Sequence, residues 1–172
     1  GWIPKEKITE VTYRQAGIPD VIDTVKVKHV SGRESRIVFK TYEQGRKKWQ
    51  GTSIHHVWFD EEPPLDIFTE GMTRVLDTSG SVVLTFTPLN GASDVVMHFL
   101  DGGDGIWMFN ATWDDAPHLS EKDKKRMLAS FPEHERATRT KGTPMVGSGV
   151  VYPTADEDVM VDALKFLHIS RV

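Results

Sequence analysis

The sequence predicts an α/β fold, a mostly parallel sheet flanked by helices, with an N-terminal β-hairpin ahead of it. Three observations carry this. Residues 25–40 hold two short segments rich in alternating or β-branched residues, joined by Ser31-Gly32-Arg33-Glu34. Further on, three apolar runs at 54–59, 81–86 and 106–111 alternate with stretches of helical spacing. Such alternation needs crossover connections, which set neighbouring strands parallel. Finally, the chain has 172 residues, 38% of them hydrophobic, with five Trp and eight Phe, enough to bury a domain-sized core.

Each element follows from its own residues. The first twenty residues read as irregular, because Pro4, Gly17 and Pro19 punctuate a weak pattern. Val25-Lys26-Val27-Lys28-His29-Val30 alternates with the period of a half-buried strand, and Ser35-Arg36-Ile37-Val38-Phe39-Lys40 is its hairpin mate. Ile54-His55-His56-Val57-Trp58-Phe59 stops at Asp60, Ser81-Val82-Val83-Leu84-Thr85-Phe86 stops at Thr87-Pro88, and Ile106-Trp107-Met108-Phe109-Asn110-Ala111 is the third run. Strands buried on both faces have this composition. Between them, Leu65, Ile67, Phe68, Met72, Val75 and Leu76 fall at helical spacing behind Pro63-Pro64, and Asp94 to Leu100 is a shorter helix. Ser120 caps a helix to about Ser130, with Asp123 completing an approximate capping box, and Pro132 starts another that Gly142 ends near Lys141.

Composition narrows the function classes. There is no cysteine, which excludes a disulfide framework, a zinc ribbon and a thiol nucleophile. No apolar run approaches the ~20 residues of a membrane span, and no signal-peptide pattern is present. The first residue is Gly rather than Met, as in a processed chain or a truncated fragment. The net charge of −4 hides a pattern: residues 1–50 carry 11 basic and 6 acidic side chains, residues 51–118 carry Arg74 against 11 acids, and residues 119–172 carry 9 against 8. An acidic middle suits a cation site, and solvated surface acids give the same count.

In an α/β sheet the ligand sits beyond the carboxyl ends of the strands, so the residues there are the candidates. Asp60-Glu61-Glu62 ends one strand. A first carboxylate at a strand terminus can hold a hydrated magnesium ion against phosphates, and a second can deprotonate an attacking water. The same acids would also complement the dipole of the helix that follows. Thr85-Phe86-Thr87-Pro88-Leu89-Asn90-Gly91 ends the next strand, with two hydroxyls and an amide able to reach a phosphate or the acidic pair. An ordinary strand and Asn-Gly turn would look alike.

Other features are weaker. Gly45-Arg46-Lys47-Lys48-Trp49-Gln50-Gly51-Thr52 has the wrong glycine spacing for a phosphate loop and lacks its lysine, and Gly147-Ser148-Gly149 lacks the third glycine of a dinucleotide loop. His55 and His56 are adjacent in a strand and point to opposite faces, against a shared metal. Two basic clusters could meet phosphates: Lys122, Lys124, Lys125 and Arg126 on a helix, and Arg33, Arg36, Lys40, Arg46, Lys47 and Lys48 near the hairpin. A solvated face explains either equally well.

Taken in order, these pieces resemble the large terminase subunit of tailed bacteriophages over nearly the whole chain. The resemblance rests on Trp49-Gln50-Gly51-Thr52, then Val57-Trp58-Phe59-Asp60-Glu61-Glu62-Pro63-Pro64, then Glu70, Gly71 and Arg74, then Thr85 to Gly91. The tail from Gly142-Thr143-Pro144-Met145 to Gly147-Ser148-Gly149-Val150-Val151-Tyr152-Pro153 also fits. It implies a fold similar to P-loop ATPases and a motor that packages double-stranded DNA into procapsids. By this resemblance Asp60 is the magnesium-associated carboxylate, Glu61 the catalytic glutamate, and Thr85 and Thr87 belong to the nucleotide-linked coupling motif. Arg74 and Glu62 lie in the matching segments, and the resemblance gives them no assigned role.

The family's upstream phosphate-cradling loop with its lysine and associated arginine is missing here, and so is its downstream nuclease domain, which Asp156, Glu157, Asp158 and Asp162 do not replace. The resemblance therefore divides the chain into 1–153, the later part of an ATPase domain, and 154–172, a connecting segment. Magnesium and ATP belong to the full-length parent, with none expected on this chain alone. Whether the isolated chain is an enzyme is left open. The implied partners are double-stranded DNA, a portal protein, a small terminase subunit and copies of itself in a ring, in the host cytoplasm, with no membrane. A helicase fragment and a non-catalytic α/β interaction module are the alternatives.

Overall fold

The computed structural model describes residues 3–15 and 19–144. The chain forms two compact units, one drawn from Gly1–Val57 and Asp66–Ser81, the other from Trp58–Leu65 and Val82–Val172.

The first unit opens with an antiparallel sheet in the order β1 (Ile8–Tyr13), β2 (Ile22–Lys28), β3 (Glu34–Val38). The β2–β3 hairpin is the one the alternation predicts, and its register sets Val25 against Ile37 and Lys26 against Arg36. β1 corrects the expectation of an irregular start. Its register against β2 shifts between Ile8 and Glu10 and again between Thr12 and Tyr13. Bulges of this kind break the two-residue period, so the strand left no alternation to read. The expected parallel sheet is present in a smaller form: among the described residues β4 (His56–Asp60) and β5 (Ser81–Thr85) pair in parallel, and the third strand expected beside them is absent.

Helix α1 (Leu65–Leu76) lies where predicted, and Ile67, Phe68, Glu70, Gly71 and Val75 form its buried stripe. Its exit is tied to the approach to β4 within the first unit. The Thr78 hydroxyl donates to the Ile54 carbonyl at 2.6 Å and the Ile54 N–H to the Arg74 carbonyl at 2.9 Å. Gly80 is required there, since a Cβ would sit 2.4 Å from the His55 carbonyl oxygen.

In the second unit α2 (Asp94–Leu100) is capped by Ser93, whose hydroxyl accepts the Val96 N–H. Ser120 caps α3 (Glu121–Ser130) in the same way through Asp123. A 3-10 turn at Glu133–Glu135 leads into α4 (Arg136–Lys141), which ends at Gly142 in the left-handed conformation. The third apolar run is not a strand. Trp107 is 91% exposed and Phe109 84%, and residues 106–111 join no sheet among the described residues. Gly102, Gly103 and Gly105 all take positive φ just before it and break the approach. The readings at Gly147-Ser148-Gly149, at Asp156 to Asp162 and of a boundary at 153/154 lie outside the described residues.

Candidate functional site

Within the second unit the ends of β4 and β5 lie side by side, and the Glu61 N–H donates to the Thr85 carbonyl at 2.8 Å. Side chains two apart in a strand share a face. Burial alternates strictly in β4, with Val57 and Phe59 inside and His56, Trp58 and Asp60 outside. β5 likewise exposes Ser81, Val83 and Thr85. Trp58, Asp60 and Thr85 therefore meet on one open face. The Trp58 indole N–H donates to the Thr85 hydroxyl oxygen at 2.9 Å, and that hydroxyl donates to Asp60 Oδ1 at 3.1 Å. The direction is fixed, because indole nitrogen can only donate and carboxylate can only accept.

Glu61 departs from the strand. Its φ is +63°, the left-handed region that side chains with a Cβ enter at a cost of roughly 1–2 kcal/mol. In a regular strand Asp60 and Glu61 would point to opposite faces. The left-handed residue breaks that alternation at the strand terminus, so the two carboxylates are released from it. Non-glycine strain of this sort concentrates at functional positions.

Glu62 continues the corner. Its carboxylate accepts from the Ser93 hydroxyl at 2.5 Å and from the Asn90 side-chain amide at 3.1 Å. Asn90 thus reaches Glu62, the acid next to the Asp60–Glu61 pair that the sequence offered it. With Pro63, Leu65 and Asp94 these residues line a cleft of about 370 Å3. Glu62 and Asp94 make that cleft unsuited to a triphosphate. Thr87 does not join Asp60 through a side-chain hydrogen bond among the described residues; its carbonyl accepts the Leu89 N–H at 2.7 Å in the turn at Pro88.

Glu70 and Arg74 belong to a separate cluster in the first unit. Glu70 is only 4% exposed and is held by Arg46 at 2.9 Å and by Arg74 at 3.1 Å. The hydrogen bond from Arg46 holds its carboxyl below the usual carboxylate range. Burial opposes that shift, and the charges of Arg74 and Arg46 reinforce it. Arg46 is thereby committed to Glu70, and residues Arg46–Trp49 form a 3-10 turn rather than a phosphate cradle. His56 bonds the Ser81 hydroxyl at 2.9 Å, an ordinary cross-strand contact.

Sequence reasoning missed Trp58 as a site residue. The signal was present, since Trp58 stands two residues before Asp60 on a strand. Among the described residues no group of three His, Asp or Glu side chains converges as a metal cage. Asp60 and Thr85 supply hard oxygen donors, which suit a magnesium ion that keeps most of its waters and takes one or two carboxylates. The chain has no glycine-rich loop with a lysine to hold a triphosphate.

Comparison with known proteins gives a consistent picture. Residues 3–159 match the family described as terminase large subunit, T4likevirus-type, N-terminal. The chain is 43% identical over 166 residues to a terminase large subunit of Salmonella phage P22, covering 92% of this chain and 33% of that protein. It is 39% identical over 110 residues to a terminase large subunit of Enterobacteria phage LP7, covering 63% of this chain and 23% of that protein. The chain thus spans a third or less of the length of these curated relatives. No solved structure matches it.

Proposed function

This chain belongs to the phage terminase large subunit family, and from that premise we propose that it is the portion of an ATP-driven DNA-packaging motor that carries the metal-associated carboxylate and the catalytic base. The observation that supports this reading best is the joined strand ends. There Asp60 accepts the Thr85 hydroxyl, and Glu61 is turned out of the strand into a strained conformation. A P-loop NTPase-like fold is part of the proposal, with the triphosphate cradle supplied from outside this chain.

In this mechanism the Asp60 carboxylate, oriented by the Thr85 hydroxyl, would hold the hydrated magnesium. Magnesium-ATP supplies the electrophilic phosphorus and the counter-charge for the leaving group. Glu61 orients the attacking water and takes its proton. The Thr85 hydroxyl links the end of β5 to Asp60, so a change at the metal carboxylate reaches the loop from Phe86 to Gly91. Glu62, through Asn90 and Ser93, holds the far side of that loop. Thr87 sits at the turn between the two anchors and belongs to the same coupling segment.

The test needs a polypeptide of the relatives' full length that contains this chain. There Glu61→Gln should lower ATP turnover by about 100-fold or more while leaving magnesium-ATP binding in place. Unchanged turnover would make the acids surface charge on a non-catalytic α/β module. The family match sets the helicase alternative aside. The proposed partners are double-stranded DNA, a portal protein, a small terminase subunit and further copies of the chain, in the host cytoplasm. No helix among the described residues is long and apolar enough to cross a membrane.

A further inference from the structure

The corner formed by Asp60, Glu61 and Glu62 is anchored on both sides of its strained middle residue. Before Glu61, the Thr85 hydroxyl donates to Asp60, and the Thr85 carbonyl accepts the Glu61 N–H. After it, each carboxylate oxygen of Glu62 has its own donor. Ser93 Oγ donates to Oε1 at 2.5 Å, and Asn90 Nδ2 donates to Oε2 at 3.1 Å. Both donors lie between the end of β5 and the start of α2, in the same unit as the acids.

The second anchor is itself fixed. Ser93 Oγ accepts the Val96 N–H at 3.2 Å, so the hydroxyl that grips Glu62 also caps α2. Val95 and Val96 are buried and seat that helix in the core. The backbone of Glu62 has little freedom of its own. It precedes Pro63, and Pro63 precedes Pro64, which disfavours the helical region at both residues. A residue held in a sparsely populated conformation persists only where its surroundings over-determine it. Thr85 supplies that determination on one side of Glu61, and Glu62 supplies it on the other.

We propose that Glu62 is a positioning residue: gripped by Asn90 and Ser93, it holds Glu61 in the left-handed conformation that turns it out of the strand. This role rests on the reading of Glu61 as the base given above. Glu62 itself takes no proton and binds no metal in it; its carboxylate serves the two donors. The polarity of position 90 is then decisive. Asn90→Asp keeps nearly the same shape but sets a second carboxylate against Glu62, beside Asp94, and the grip fails. Combining it with Glu62→Gln reverses donor and acceptor and restores the bond, while the new amide oxygen still accepts the Ser93 hydroxyl.

Steady-state ATP turnover of a polypeptide of the relatives' full length tests this. Asn90→Asp should lower kcat about tenfold with KM for magnesium-ATP unchanged, as a small misplacement of a reacting group does. Ser93→Asp should act likewise, since an ionised aspartate still caps α2 but cannot donate to Glu62. Asn90→Asp/Glu62→Gln should recover most of the loss. Amide hydrogen exchange without nucleotide should follow the same order: residues 59–62 exchange faster in Asn90→Asp and return toward the unmodified rate in the double variant. A kcat unmoved by Asn90→Asp and Ser93→Asp, where Glu61→Gln lowers turnover, would overturn this role and leave the base standing. A loss that the double variant fails to recover, or one carried by KM alone, would overturn it too. A silent Glu61→Gln would overturn both readings together.

Discussion

Asp60, Glu61 and Glu62 stand within ten positions of Glu70, and the two regions treat their carboxylates oppositely. Glu70 is buried and clamped by the guanidinium groups of Arg46 and Arg74. At the strand end the contacts include neutral donors: the Thr85 hydroxyl on Asp60, and the Asn90 amide and Ser93 hydroxyl on Glu62. Ion pairing consumes a carboxylate's charge for structure. Hydroxyl and amide donors orient a carboxylate without cancelling the charge that a cation or a proton would meet. On the function proposed above, the partner separates a chemical acid from a structural one better than the density of acids along the sequence does.

The largest expected effect separates the two regions directly. Glu61→Gln should remove about 100-fold or more of turnover in the full-length polypeptide, with an unchanged thermal midpoint. Glu70→Gln should do the reverse, lowering the midpoint by several degrees because Arg46 and Arg74 lose their partner. A midpoint unmoved by Glu70→Gln, read by calorimetry, would break the comparison.

Acid sharpens it next. The Glu70 carboxyl is held below its ordinary value of 4.5 in the folded state. A depressed folded value means that the contribution is complete above about 4.5 and is lost as pH falls below it. Chemical unfolding of the unmodified chain should therefore weaken more steeply below pH 4.5 than that of Glu70→Gln. Parallel curves would remove Glu70 from its structural role.

The smaller effect lies in the chemical region. Trp58→Phe deletes the indole donor to Thr85 while keeping an apolar ring. One neutral hydrogen bond is worth about 1 kcal/mol, so turnover or magnesium dependence should shift roughly fivefold. The same variant should leave the midpoint nearly unchanged, since Trp58 is 64% exposed.

Much of this is legible in the sequence. Helices α1, α2 and α3 follow from apolar spacing and serine caps. The approach of Thr85 to Asp60 follows from two parallel strands ending in polar residues. β1 is not legible, because bulges erase its period. The run at 106–111 misleads because an apolar stretch carries no information about whether a partner strand exists beside it. Glu70 leaves only its four-residue spacing to Arg74, and nothing in that spacing tells of Arg46 arriving from 24 residues upstream. The left-handed turn at Glu61 has no signal at all, since glutamate is a poor residue for it.

That mismatch between residue and backbone has an evolutionary reading. Glycine at position 61 would relieve roughly 1–2 kcal/mol of Cβ crowding, against roughly 0.5–1 kcal/mol of added freedom in the unfolded chain. Glu61→Gly should therefore leave the fold unharmed or slightly more stable. Selection for stability alone would drift toward glycine or asparagine here. On the role proposed above for Glu61, a glutamate at such a place puts activity ahead of robustness, and a variant stabilised there would lose turnover.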